Sequence, residues 1–407
     1  MSATAALAAG CGVVPGVSGD SKATITVMTW APENTKATNM PGMPAMALAY
    51  ARWVNANGGI AGRELKVITC NDHNDTVGAD KCARQAVEKG AVAVVGSYSQ
   101  FGRSFLSPLE AEGIPYIGGY GVTDAEFTSS VSYPVNGGQP ALMAGMGQQL
   151  AARCARVALV RPDTIAGDDL PLLLNSGLST GKRAAAIDVL AAEDATEYTA
   201  RAADALTRAT SDPDQQGCVA AALGDRTDTF FDSFRRTRDD YPDVLVGSVF
   251  GSVDQAVVDR TGGKSSPYEG AYVSGWYPVA SDARWNTMRK VITEEAFGDN
   301  RIDATDAGVQ TTWIAYTVFK KVVESIGSGE VSARAVRRTL DDGLKIDTGG
   351  VTPTLSWRFQ DMLAAKDYPR IVNSDVTFQM VRKGRLVAQR PGFVNVSKTL
   401  EKAPTNS

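Results

Sequence analysis

A single histidine, His73, in 407 residues leaves a His-dependent catalytic triad or a multi-histidine metal site almost no material. No apolar run approaches the roughly 18 residues needed to span a bilayer. Charge of one sign is also missing: 41 Lys+Arg against 45 Asp+Glu leave a net charge of -4, with no electrostatic footprint for nucleic acid. Neither a Walker-type phosphate loop nor a Gly-x-Ser-x-Gly elbow occurs. Asp72, His73 and Asp75 fit a helix-capping loop better than a metal site, and Asp299, Asp303 and Asp306 lack the spacing of a Ca²⁺ loop. The expectation is a non-enzyme with no cofactor, no metal and no nucleic-acid partner.

Cysteine is scarce but informative. Of the five, Cys11 ends Leu7-Ala8-Ala9-Gly10-Cys11 and precedes a loose Gly/Val/Pro/Ser stretch, which looks like a bacterial lipoprotein processing site. Met1 to Gly10 is short for an export peptide and lacks a basic start, so a flexible terminus is the alternative. On the lipoprotein reading, residues 1–21 are an export segment and tether, Cys11 is lipidated, and the protein is anchored outside the cytoplasmic membrane or is periplasmic. Cys70, Cys82, Cys154 and Cys218 then remain, an even number suited to disulfides in an exported chain.

At 407 residues, 43% apolar and 21% charged, the chain suits about two ordinary globular domains. From Lys22, short apolar strands alternate with helices of 10 to 15 residues: strands at 23–30, 64–70, 91–96 and 114–118, with helices at 44–56, 75–89 and 102–113 between them. The pattern pauses at Tyr133-Pro134-Val135-Asn136-Gly137-Gly138 and restarts, with strands at 156–160, 184–189, 218–223 and 244–249. Long helices at 282–297, 304–326 and 332–340 follow, then a hairpin at 376–388 turning on Lys383-Gly384. Such alternation predicts α/β architecture, two doubly wound parallel-sheet lobes. The divisions expected are 22–136 plus 277–345 for the first lobe, 137–276 plus 346–398 for the second, and 399–407 as a flexible tail. Cys154 and Cys218 each begin a strand at one sheet edge, which suits a Cys154–Cys218 bridge. Cys70 ends a strand and Cys82 lies on the next helix, which suits Cys70–Cys82; four buried free thiols are the alternative.

Residues Ala45 to Val67, with Asn55, Gly58-Gly59-Ile60 and Gly62 at the turn, resemble the first helix and turn of type I periplasmic solute-binding proteins. These are the receptors of ABC transporters, typified by the leucine/isoleucine/valine-binding proteins. Asn71-Asp72-His73-Asn74-Asp75, Val94 to Gln100 and Gly113 to Gly119 resemble the family's following loops, and element order agrees from about Thr24 to Lys398. The resemblance implies two lobes joined by three hinge crossovers that close around a small solute. Ligands of open α/β sheets sit outside the carboxyl ends of the strands, so the loops there should carry the contacts.

Carried across on that resemblance, the candidate ligand-binding residues are Trp30 after the first strand, Ser99, Gln100 and Phe101 after the third, and Tyr120, Gly121 and Thr123 after the fourth. The second lobe departs from the amino-acid receptors. Ala166 stands where an aromatic clamp is common, Gly224-Asp225-Arg226 replaces a Gly-Tyr pair, and Ser248 to Ser252 holds no carboxylate, which leaves Asp225 as the candidate acidic partner. Each residue has a plainer reading: Trp30 as lobe core, Ser99 as a turn residue, Asp225 and Arg226 as an exposed ion pair, and Trp276-Tyr277 as hinge packing. The function expected is an extracytoplasmic receptor, a monomer, that delivers an amino-acid-like, amide or aromatic solute to an ABC transporter permease. A sensor of the same fold signalling to a protein partner is the alternative.

Overall fold

The computed structural model describes residues 24–403 except 37, 165, 166, 193 and 366; Cys11 with the whole 1–21 segment, and Ala166, lie outside that set. In the first run, β1 (Ile25–Trp30), α1 (Gly42–Ala56), β2 (Leu65–Cys70), α2 (Thr76–Glu88), β3 (Ala93–Val95), α3 (Gly102–Glu112), β4 (Tyr116–Ile117), α4 (Asp124–Thr128) and β5 (Ser132–Tyr133) alternate as the apolar pattern demands. The strands form one parallel sheet in the order β2-β1-β3-β4-β5. Asn55 explains why the turn after α1 is so specific. Its side-chain amide donates to the Leu65 carbonyl at 2.9 Å and its oxygen accepts from the Leu65 N–H at 2.8 Å, which fixes the entry of β2. Asp75 caps α2 by accepting from the Gly78 N–H at 2.6 Å.

The second run comprises α5 (Gly138–Ala151), β6 (Arg156–Pro162), α6 (Leu170–Thr180), β7 (Ile187–Ala191), α7 (Thr199–Ala209), β8 (Gly217–Ala221), α8 (Thr227–Thr237), β9 (Leu245–Val249), α9 (Gln255–Arg260) and β10 (Tyr272–Gly275). After α10 (Asn286–Glu295), α11 (Ala307–Ile326) and α12 (Ala333–Asp341), the chain ends with β11 (Asp375–Arg382), β12 (Arg385–Ala388), β13 (Val394–Asn395) and α13 (Ser397–Glu401). The second sheet runs β12-β11-β10-β9-β8-β6-β7, parallel from β7 to β10 and antiparallel at β11 and β12.

The chain therefore passes between sheets three times, after β5, after β10 and before β11, as expected of two lobes with three crossovers. Helix α11 returns to the first sheet. Tyr316 bonds to the Thr29 hydroxyl at 2.7 Å, and Thr312 donates to the Gly96 carbonyl at 3.2 Å. Gly96 has φ 62 and a Cβ there would press on the Thr312 backbone, so only glycine allows this approach. Residues 346–373, expected in the second lobe, bond instead to the first. Trp357 Nε1 donates to the Pro134 carbonyl at 3.0 Å, and Arg370 Nε donates to the Ser132 carbonyl at 2.9 Å. The chain also stays structured past residue 398, where a tail was expected: Leu400 is buried, and Thr399 accepts from Gln148 at 2.7 Å.

Each face of the first sheet has its own core. Met43, Met46, Tyr50 and Tyr316 lie on one side, and Trp30, Cys82, Phe105 and Tyr116 on the other. Both disulfides form within a lobe. Cys70–Cys82 ties β2 to α2 with Cα atoms 5.7 Å apart, and Cys154–Cys218 ties the starts of neighbouring strands β6 and β8 at 5.8 Å.

Candidate functional site

The carboxyl ends of the parallel strands in both sheets face one cleft of about 140 Å³. From the first lobe it is lined by Thr38 and Met40 beyond β1, Tyr98 and Gln100 beyond β3, and Tyr120, Val122 and Thr123 beyond β4. The second lobe supplies loops after β6 (Pro162, Thr164, Gly167), β8 (Ala222, Leu223, Gly224) and β9 (Val249 to Ser252), with Gln139 and Leu142 at the start of α5. Trp276, the first residue of a crossover, completes it. A side chain at the end of a strand points across the gap, which is why these loops and not the helices between them make the walls.

Four aromatic rings run continuously along the cleft. Tyr98 meets Tyr120 edge-on at 5.2 Å, Tyr120 meets Trp276 at 5.0 Å, and Trp276 meets Phe250 at 6.4 Å. This row passes from the first lobe through the crossover into the second. Trp276 is fixed by its Nε1–H, which donates to the Gly138 carbonyl at 2.8 Å, so it packs the hinge and lines the cleft at once. The polar lining consists of hydroxyls and amides: Thr38, Gln100, Thr123, Gln139, Thr164 and Ser252, and no described side chain lining the cleft is charged. Gln100 Nε2 donates to the Tyr98 hydroxyl at 3.2 Å.

The lobes approach closely across the cleft. Gly251, at φ 92, lies so near the Tyr120 hydroxyl that a Cβ there would overlap it. A Cβ at Gly224 would stand 3.4 Å from the Thr38 hydroxyl, and Arg226 Nη2 donates to the Lys36 carbonyl at 3.4 Å.

Of the residues singled out from sequence, Gln100, Tyr120 and Thr123 line the cleft together. Trp30 is fully buried, with Phe105 at 5.4 Å and Tyr116 at 5.9 Å, inside the core of its lobe. Ser99 is 1% exposed; its hydroxyl accepts from the Phe101 N–H at 3.2 Å and lies near the buried Asp72 carboxyl, whose pKa burial raises. Phe101 caps α3 and packs against that same core. Gly121 sits one layer behind the lining, where its carbonyl accepts from the Gln139 N–H at 2.8 Å. Asp225 lies in the short turn 224–226 beside lining residues Leu223 and Gly224, and its side chain lies outside the described atoms. Ser248, in the stretch searched for an acidic partner, is buried and donates to the Ala221 carbonyl at 2.8 Å.

Sequence reasoning missed Glu126. Burial pushes its carboxyl up to about 7, against the pull of N–H donors from Gly121, Val122 and Thr123. The Thr123-Asp124-Ala125-Glu126 spacing is a capping-box pattern, the signal that points to it. It also missed Phe250 and Thr164, which carry no motif.

The family profile described as periplasmic binding protein matches residues 35–367. No curated protein matches the chain by sequence. Among solved structures, a solute-binding protein of an ABC transporter from Rhodopseudomonas palustris in complex with p-hydroxybenzoic acid is similar at TM-score 0.74 and 12% identity, over 93% of this chain and 99% of that one. A branched-chain amino-acid ABC transporter ligand-binding protein from Burkholderia xenovorans is similar at TM-score 0.71 and 14% identity, over 93% and 97%. A leucine-binding protein from Thermotoga maritima is similar at TM-score 0.69 and 11% identity, over 91% and 99%. At these identities the likeness speaks to the fold, and the profile match across most of the chain speaks to descent. The chain belongs to the periplasmic binding protein family.

Proposed function

We propose that this chain is an extracytoplasmic receptor that captures a small planar solute, aromatic or amide-bearing, and hands it to an ABC permease. The observation that carries the reading is the aromatic row Tyr98–Tyr120–Trp276–Phe250 in a cleft whose other described polar groups are neutral hydroxyls and amides. Rings stack on such a row, and neutral hydrogen-bonding groups orient them. A zwitterionic amino acid asks for an opposing carboxylate and cation, which the described lining lacks. The volume of about 140 Å³ is close to that of engineered cavities that hold benzene, so one ring with small substituents is the fitting size. Structural neighbours add support, since two are complexes with p-hydroxybenzoic acid and 3,4-dihydroxybenzoic acid.

The mechanism is hinge closure. A ligand that touches both walls favours the closed arrangement by its added contacts there, with the lobes dividing near 136, 277 and 373 and moving about the three crossovers. Gln100, Tyr120 and Thr123 are the first-lobe contacts; Trp30 and Ser99 support them from behind, and Asp225 stands at the second-lobe rim. A lipid anchor at Cys11 and a monomeric state complete the proposal.

The test is a thermal-shift screen against amides, small aromatic acids, amino acids, nucleosides and sugars, followed by calorimetry on any hit. A ligand at 100 times its Kd adds about 2.7 kcal/mol of stability, a visible rise in midpoint. Tyr120→Ala is expected to weaken an aromatic hit by roughly tenfold, the scale of one lost aromatic pair. Hits confined to aliphatic amino acids, indifferent to that substitution, would rule the reading out.

A further inference from the structure

Behind the first-lobe wall the chain holds a buried carboxyl of its own. Glu126 is 2% exposed and is the third residue of α4. Its Oε2 accepts from the Gly121 N–H at 3.1 Å, and its Oε1 accepts from the Val122 and Thr123 N–H groups, each at 3.1 Å. The Thr123 hydroxyl donates to Oε1 at 3.2 Å. A Cβ on Gly119 would overlap both this carboxylate and the Tyr116 ring, so the group is pressed against the whole loop 119–123. Tyr116 donates to the Ser97 carbonyl at 3.1 Å, and the same carbonyl accepts from the Tyr120 N–H at 3.1 Å. The network thus joins the loops after β3 and β4, which carry Tyr98, Gln100, Tyr120, Val122 and Thr123 into the cleft.

Consecutive N–H groups in a loop that opens a helix normally form a cradle for an anion. Here the cradle is full. With the Gly121, Val122 and Thr123 N–H groups and the Thr123 hydroxyl all turned onto Glu126, the loop has none of these donors left for an acceptor on the ligand. A ligand carboxylate brings only acceptors and meets a like charge behind the wall. We propose that Glu126 is a specificity-determining positioning residue: by filling the cradle of the 121–123 loop it makes this wall select the amide or hydroxyl end of a planar solute over the corresponding carboxylate. The proposal rests on the aromatic-solute reading of the cleft. The titratable neighbours facing Glu126 are Tyr116 and, beyond it, Asp72, and burial holds the Glu126 carboxyl near 7, so its charge changes within an accessible pH range.

The experiment uses the full chain with both disulfides and two probes, 4-hydroxybenzamide and 4-hydroxybenzoate, by calorimetry at pH 6 and pH 8. The ratio of the two affinities cancels any titration that alters closure for both probes alike. Expected is a preference for the amide of at least about tenfold at pH 8, shrinking at pH 6. In Glu126→Gln the ratio should be smaller and independent of pH. Equal affinities at pH 8, or a preference for the carboxylate, would overturn the proposal, and the wild-type comparison alone decides it should the variant not fold. A second measurement needs no ligand: the amide NMR signals of Gly121, Val122 and Thr123 should titrate together with a midpoint near 7. Absence of a shared midpoint overturns the clamp whatever the probes do. If neither probe binds while that midpoint is present, the aromatic-solute reading fails and the filled cradle stands.

Discussion

Removing the two disulfides one at a time should give unequal losses of stability whose difference follows from chain length alone. Cys70–Cys82 closes a sequence separation of 12, and Cys154–Cys218 one of 64. Loop-closure entropy in the unfolded chain then gives about 2.8 kcal/mol for the first bridge and about 4.3 kcal/mol for the second, a difference of about 1.5 kcal/mol. Native packing partly cancels from the comparison, since each pair replaced by alanine removes two sulfurs, from mostly buried positions in both cases. The assay is urea unfolding of Cys70→Ala/Cys82→Ala and Cys154→Ala/Cys218→Ala, followed by two probes. Trp30, Trp53, Trp285, Trp313 and Trp357 all pack in the first lobe and Trp276 at a crossover, so fluorescence reports that part, while far-UV circular dichroism reports both sheets. Loss of the second-lobe bridge should therefore shift the dichroism curve more than the fluorescence curve if the lobes unfold separately. Ligand affinity should hardly change in either variant, because neither bridge crosses the cleft. A larger loss from the Cys70 pair than from the Cys154 pair would refute the chain-entropy argument.

Other expectations follow from the same geometry. Gly251→Ala places a methyl on the Tyr120 hydroxyl at a backbone φ of 92, so it should cost about 1–2 kcal/mol of stability and weaken ligand binding. Adding Tyr120→Phe should restore part of the affinity, and a double-mutant cycle in calorimetry with no coupling would argue against contact across the cleft. Burial pushes the Asp306 carboxyl up to about 7, and Asp254 and Asp303 add like charge. A carboxyl raised on folding stabilises the protein most when protonated, so its contribution falls as pH rises from the ordinary carboxylate range toward 7. Asp306→Asn can keep the cap on the Val309 N–H, 2.7 Å away, and should be more stable than wild type at pH 8 with a flatter profile down to pH 5; a lower melting midpoint at pH 8 would contradict this. Arg161, largely buried, holds Asp188 at 2.9 Å and Asp168 at 2.8 Å beside the cleft loop 162–167. Its two partners are solvent-exposed and are not stranded by its loss, so Arg161→Ala should destabilise by only about 1–2 kcal/mol, mainly through lost packing, and loosen ligand binding, seen as a faster off-rate.

Much of this architecture was legible because the two periodicities differ: runs such as Ile25–Trp30 and Ala93–Val95 read as buried strands, and amphipathic stretches between them read as helices. Strand β5, two residues long and followed at once by Pro134, offers no period to read, and α4, at five residues, offers barely one turn. The loops of the cleft were legible for the same reason as the strands they extend. Which side chains face the gap was not, because it depends on alternation at single-residue resolution. After β3, Ser97 and Ser99 turn into the lobe and Tyr98 and Gln100 turn out, so the hydroxyl of Ser99 lies inside while the wall is made by its neighbours. At the end of β1, Trp30 faces α2 and α3, while Thr29 faces α11 and bonds to Tyr316. Residues 346–373 carry no regular period beyond one short turn, and it is tertiary contact, such as their bonds to Ser132 and Pro134 and the packing of Trp357 on Tyr133, that assigns them to the first lobe.

The interruption of the first lobe by the second has a consequence for the order in which a nascent chain acquires structure. Strands β1 to β5 are complete by residue 133, yet α11, which covers β3 and β4 and supplies Thr312 and Tyr316, begins only at residue 307. The parallel strands of the second sheet, from 156 to 275, are contiguous, so that lobe gathers most of its sheet before the first can cover its apolar face. Counted from the N-terminus, a gap of roughly 170 residues separates β5 from α11, and until that gap is crossed Ala93, Val95 and Ile117 lack their covering helix. The first lobe is thus begun first and finished last, and its half-built sheet is the intermediate most in need of a chaperone's protection.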